Sequence, residues 1–134
     1  MTDRWLPTEK IVEEYHLYSK MLDALATEIR ELSKKKQEGT LNLTKVKMIN
    51  RVLTPLKETI LAHVPASIFL DLLDEDVLPN NSDAVLMFSQ YEAAIREFES
   101  SYHLSYYENY TQRFYWSTVE FPDGRGDKDE EVDE

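Results

Sequence analysis

The 134-residue sequence has no cysteine and only three glycines, and none of its apolar runs approaches the ~20 residues of a membrane-spanning helix. Without cysteine there is no disulfide, no thiol nucleophile and no Cys-based zinc or iron–sulfur site. Gly39, Gly124 and Gly126 are too few and too scattered to build a glycine-rich phosphate loop. Neither a dinucleotide fingerprint nor His-Glu-x-x-His occurs. The opening Met-Thr-Asp-Arg-Trp lacks the apolar stretch of a signal peptide. The sequence therefore predicts a cytoplasmic protein with no cofactor, no bound metal and no membrane partner.

Charge is abundant and unevenly placed. There are 26 acidic and 15 basic residues, a net charge of -11. Residues 1–60 carry +2 and residues 61–134 carry -13. Bases concentrate in the stretch 34–57 (Lys34, Lys35, Lys36, Lys45, Lys47, Arg51 and Lys57). Acids concentrate in residues 71–83 and again in 123–134. This asymmetry points to a partner with a basic surface, or to attraction between the chain's own segments.

Apolar spacing predicts an all-α fold. Ile11, Tyr15, Tyr18, Leu22, Leu25, Ile29 and Leu32 alternate by four and three, the stripe of a helix over Glu9–Lys36 packed along a neighbour. Thr8 is the expected N-cap. A second helical pattern runs from Leu43 to Val64, capped by Asn42 or Thr40 and kinked at Pro55. A short helix is expected between Pro65 and Pro79, with Phe69, Leu72 and Leu73 plugging the core. A second long helix is expected from Ser82 to about Arg113, on Ala84, Phe88, Tyr91, Ile95, Phe98 and Tyr102, capped by Asn81 or Ser82. The predicted architecture is a small helical bundle of two long antiparallel helices, a Pro-kinked helix and a short helix. Residues 1–122 form one domain, and 123–134 are an acidic disordered tail.

Few constellations carry chemistry. Glu13-x-x-His16 matches half of a di-iron motif, but no second copy exists. Asp71, Asp74, Glu75 and Asp76 lack the glycine and alternation of an EF-hand loop. Lys47 and Arg51 lie one turn apart in a basic stretch that has no aromatic for stacking on bases, so nucleic acid is the lesser of the partner readings. Arg96 and His103 are seven residues apart on the expected last helix. That spacing resembles the signature of HEPN-type ribonucleases, and the resemblance implies His103 in acid–base work and Arg96 on the phosphate of an RNA substrate. Here Glu97 follows Arg96, and the gap is longer than the usual one.

The densest feature is aromatic. Seven of the chain's 15 aromatic residues lie between Tyr102 and Trp116. Tyr and Trp give large apolar contact with a polar handle, which suits interfaces. The expected function is non-catalytic protein–protein interaction, as an adaptor, subunit or inhibitor. The contact surface would be Tyr106, Tyr107, Tyr110, Phe114 and Trp116, with a basic protein or a second copy of the chain as partner. The HEPN-like ribonuclease and nucleic-acid binding through residues 34–57 are the alternatives.

Overall fold

Thr8 starts the first helix as its spacing predicts, with its Oγ1 accepting a hydrogen bond from Ile11 N–H at 3.1 Å. The computed structural model describes residues 6–65 and 70–124. Its elements in chain order are α1 (Glu9–Lys35), α2 (Leu43–Pro55), α3 (Asn81–Tyr102), β1 (His103–Glu108) and β2 (Thr111–Trp116). A π-helical turn (Leu56–Ile60) and a 3-10 turn (Leu61–His63) continue α2. Glu9 opens α1, and Lys34 and Lys35 close it, so both ends complement the helix dipole.

Pro55 has no N–H to donate, so the α pattern of α2 cannot continue through it. The chain passes into the wider π turn, and the Leu56 N–H is shared between the Val52 and Leu53 carbonyls. The kink expected at Pro55 thus takes the form of a changed helical pitch. Leu56 and Ile60 remain fully buried through it.

The helices α1 and α3 lie antiparallel. Near one end the Tyr15 ring stands 5.1 Å from Phe98. Near the other, Ser82 N–H donates to the Gln37 carbonyl. Arg30 of α1 forms a forked pair with Glu92 of α3, at 2.7 and 2.9 Å. Leu22, Val46, Leu53, Ala84, Tyr91 and Phe98 are fully buried between the three helices. Asn80, one residue earlier than expected, caps α3 by accepting from Asp83 N–H. Asn81 is occupied elsewhere, donating to the Lys36 carbonyl at 2.8 Å and so tying the end of α1 to the start of α3.

The short helix expected between Pro65 and Pro79 is absent among the described residues. From Leu70 onward the segment is irregular, and Phe69 lies outside the described residues. Leu73 does plug the core, whereas Leu72 is exposed. One anchor of this segment is Asn50, a buried polar residue on α2. Its amide donates to the Leu73 carbonyl and accepts from the Leu73 N–H, both at 2.9 Å, as a neighbouring strand would. Asp74 folds back on its own loop, accepting from Asp76 and Val77 N–H groups. Those bonds hold its carboxyl below the usual carboxylate range.

The all-α expectation is corrected here. The last helix stops at Tyr102, and His103–Trp116 form an antiparallel β-hairpin paired from His103↔Trp116 to Glu108↔Thr111. Continued as helix, these 14 residues would project about 20 Å beyond α3 with nothing to pack against. Folded back, they place Trp116 on Tyr15, His16 and Phe98, with ring centroids at 5.3, 5.5 and 5.8 Å. The strands are rich in Tyr, Phe, Trp and Thr, which suit a pleated, half-buried surface.

Residues Ser117–Gly124 then wrap the start of α1. Val119 N–H donates to the Pro7 carbonyl, and the Glu120 carboxylate accepts from Glu9 N–H. An anion thus sits at a helix N-terminus. Gly124 (φ 85°) lies against the Tyr115 ring, where a Cβ would come within 2.8 Å. Pro122 and Asp123 form a turn, and residues 125–134 of the expected tail lie outside the described residues.

Replacing Asn50 with Ala removes both bonds and leaves the Leu73 N–H and C=O buried without partners. A loss of about 3 kcal/mol is expected. Urea unfolding of the wild type and Asn50→Ala measures it.

Candidate functional site

The hairpin has two unlike faces, because alternate residues point to opposite sides of a strand. Leu104, Tyr106, Arg113 and Tyr115 share one face and are all half-buried. Tyr106 lies 6.0 Å from Tyr115, and Glu108 pairs with Arg113 at 3.8 Å. His103, Ser105, Tyr107, Gln112, Phe114 and Trp116 share the other. At its base this second face turns inward through Trp116. Towards its tip it is open, with Tyr107 73% and Phe114 48% exposed.

The five aromatic residues expected to meet a partner therefore divide. Tyr107, Tyr110 and Phe114 are exposed, whereas Tyr106 and Trp116 are half-buried and engaged within the molecule. Of the aromatics that a helix to about Arg113 would have carried beyond Phe98, only Tyr102 remains in the helix. Its ring belongs to the core, 5.4 Å from Phe98, and its hydroxyl donates to the His63 carbonyl.

Tyr110 stands out. The two turn residues Asn109 and Tyr110 both have left-handed backbone, with φ 53° and 64°. This is the mirror-image turn that matches strand twist, and it favours Asn followed by Gly. Asn109 fits. Tyr110 places a large side chain where glycine is preferred, a cost of about 1 kcal/mol or more. Its side chain is fully exposed, so burial within the molecule does not offset that cost.

His103 and His16 flank Trp116. The His103 ring stacks on the indole at 4.6 Å and 14°, while His16 meets it edge-on at 5.5 Å and 89°. Both imidazoles keep an exposed edge, and the partial desolvation of their rings is the main cause holding them below the usual 6.5. Lys20 adds to the effect at His16, and His16 adds to it at His103. The sequence pattern gave His16 no role beyond a partial metal motif. Its contact with Trp116 joins residues a hundred positions apart, which no local spacing reveals.

Arg96 and His103 do not share a helical face. Arg96 stays on α3, exposed, in a groove of about 380 Å³ with Ser19, Asp23, Glu92 and Glu99. The Tyr15 hydroxyl donates to Glu99 across this groove. His103 begins the hairpin and spends its ring on Trp116 and Phe114. In the basic stretch, Lys47 and Arg51 line a recess of about 490 Å³, where Lys47 meets Glu75 at 3.6 Å. Among the described residues, no group of three His, Asp or Glu is placed to hold a metal ion. No helix described is long and apolar enough to cross a membrane.

Fold and surface together define a three-helix body carrying one β-hairpin with an exposed aromatic tip. No protein-family model, curated protein or solved structure matches this chain.

Two outcomes are expected from this geometry. Tyr110→Gly completes the preferred turn and raises stability by about 1 kcal/mol, read as a higher urea midpoint. The histidines set a pH dependence. Both imidazoles are held below 6.5 in the fold, so the unfolded chain binds their protons at higher pH. Stability from this source is full above about pH 6.5 and is lost as pH falls through 6.5 toward the folded values. Urea midpoints at about pH 7.5 and 5.5 are expected to differ in the wild type, and to differ less in the His16→Gln/His103→Gln double variant.

Proposed function

We propose that this chain is a cytoplasmic, non-catalytic protein–protein interaction module whose contact surface is the open face and tip of the hairpin. One observation carries this reading: Tyr107, Tyr110 and Phe114 are exposed together on a hairpin whose own geometry is strained to present Tyr110. A local backbone cost with no compensating internal contact is a reason to look for function at that residue. Burying the exposed part of such rings supplies about 2 kcal/mol each, and aromatic anchors of this kind dominate many interfaces.

Charge adds a preference in the partner. Residues 1–122 carry -6 and the last 12 residues -5, while the hairpin pairs its one acid, Glu108, with its one base, Arg113. A near-neutral aromatic tip on an acidic molecule suits a protein with an apolar pocket rimmed by basic residues. Long-range attraction would speed encounter at low ionic strength, and ring burial would hold the complex.

The variant Tyr107→Ser/Tyr110→Gly/Phe114→Ser keeps the inward-facing Trp116 and is expected to stay folded. Chemical cross-linking in a lysate, followed by mass spectrometry, is expected to recover basic proteins with the wild type, more weakly at high salt. The triple variant should lose them at least tenfold. An identical set of captured proteins for both would overturn the proposal.

A further inference from the structure

The turn and register fix which backbone groups of the hairpin point outward. Glu108 and Thr111 flank a two-residue turn, so they form a mutually hydrogen-bonded pair, and such pairs alternate along the ladder. The Ser117 N–H to Tyr102 C=O bond at 2.8 Å extends the same alternation past the far end. Residues 104, 106 and 108 therefore bond to β2, and the N–H and C=O groups of Ser105 and Tyr107 face away from it. The His103 carbonyl faces the same way, while its N–H is taken by Glu99 at the end of α3. Among the described residues no third strand covers this edge.

Exposed strand edges usually carry a lysine, a proline or a bulge that prevents pairing. The β1 edge has none of these. His103–Leu104–Ser105–Tyr106–Tyr107 contains no Asp, Glu, Lys or Arg. Glu108, the next residue, is turned to Arg113.

We infer that β1 pairs antiparallel with β1 of a second copy across a two-fold axis, joining two hairpins into one four-stranded sheet. A self-pairing surface must avoid placing like charges opposite each other. In a chain of net charge -11, this uncharged five-residue edge meets that requirement. Pairing satisfies the outward backbone groups and brings Tyr107 of each copy onto a shared sheet face. The contact strand is six residues, about 20 Å long, so the buried area falls below that of a standard stable interface. The dimer is therefore weak and reversible. Two acidic bodies repel, and salt screens that repulsion, so self-association strengthens as ionic strength rises. Capture of a basic partner moves in the opposite direction.

This inference rests on the hairpin being the contact surface, and the test separates the two. Sedimentation velocity of the full chain, from about 5 to 500 μM at low and high salt, is expected to show a monomer–dimer equilibrium favoured by salt. Ser105→Pro removes an outward N–H, leaves every ladder bond and every ring in place, and is expected to be monomeric throughout. Ser105→Lys puts a charge on the edge without constraining the backbone. It is expected to weaken the dimer at least tenfold, and it decides the matter if circular dichroism shows that Ser105→Pro has lost its fold. A wild type that stays monomeric at 500 μM, or a dimer that survives Ser105→Lys, would overturn the edge pairing. If the Tyr107/Tyr110/Phe114 variant has meanwhile lost its captured proteins, the interaction surface itself stands and its occupant is a different protein.

Discussion

The position of Trp116 governs the end of this molecule. Its indole meets Tyr15 and His16 of α1, Phe98 of α3 and His103 of its own hairpin. These contacts close the space between two antiparallel helices at the point where α3 ends. They require residues 103–116 to fold back rather than continue as helix. The return of the chain then delivers Ser117–Gly124 to the start of α1, where Val119 bonds Pro7 and Glu120 meets the Glu9 N–H. Helix termination, hairpin and α1 capping are thus consequences of one aromatic junction.

The same junction decides which aromatics remain for other work. On the open face Trp116 is half-buried at the base of the hairpin, and the rings toward its tip are exposed. Trp116 and Tyr107 share that face and differ only in distance from the helices. The surface read as a contact site is therefore built from what the core cannot reach. Its strained turn residue lies at the tip, and its uncharged edge runs from the base toward that tip, on an otherwise acidic chain. At the opposite end Asn80 caps α3 and Asn81 ties its start to the end of α1, while Asn50 of α2 fixes the Leu73 backbone through two bonds.

Much of the helical body was legible in the sequence. The α1 stripe, the Thr8 and Asn42 caps and the interruption at Pro55 all follow from spacing and local chemistry, and all occur. The core residues Tyr15, Leu22, Ile29, Phe88 and Phe98 were readable for the same reason. The hairpin was not. Tyr102, Tyr106, Tyr110 and Phe114 are spaced by four, which fits a helical face and also falls on alternate positions of a strand. Asn109, followed by Tyr instead of Gly, hid the turn that would have separated the two readings. Over the described residues from Leu70 onward the short helix expected before Pro79 is absent for a related reason. Seven apolar-rich residues satisfy a helical pattern, but Asn50 offers the Leu73 backbone a strand-like partner that a helix could not use.

By itself the sequence determined what periodicity and capping encode: α1, the interrupted second helix and the body of α3, their polar and apolar sides, an uneven charge and the absence of cysteine chemistry. It also placed an excess of aromatic residues late in the chain. Only the tertiary structure decided how those residues divide between core and surface. That division depends on where α1 begins relative to where α3 ends, a relation between segments some ninety residues apart. Local propensity for helix and strand is closely balanced over residues 103–116. The contact of Trp116 with Tyr15 and Phe98 tips that balance, because burying an indole contributes more than the small difference between the two backbone preferences.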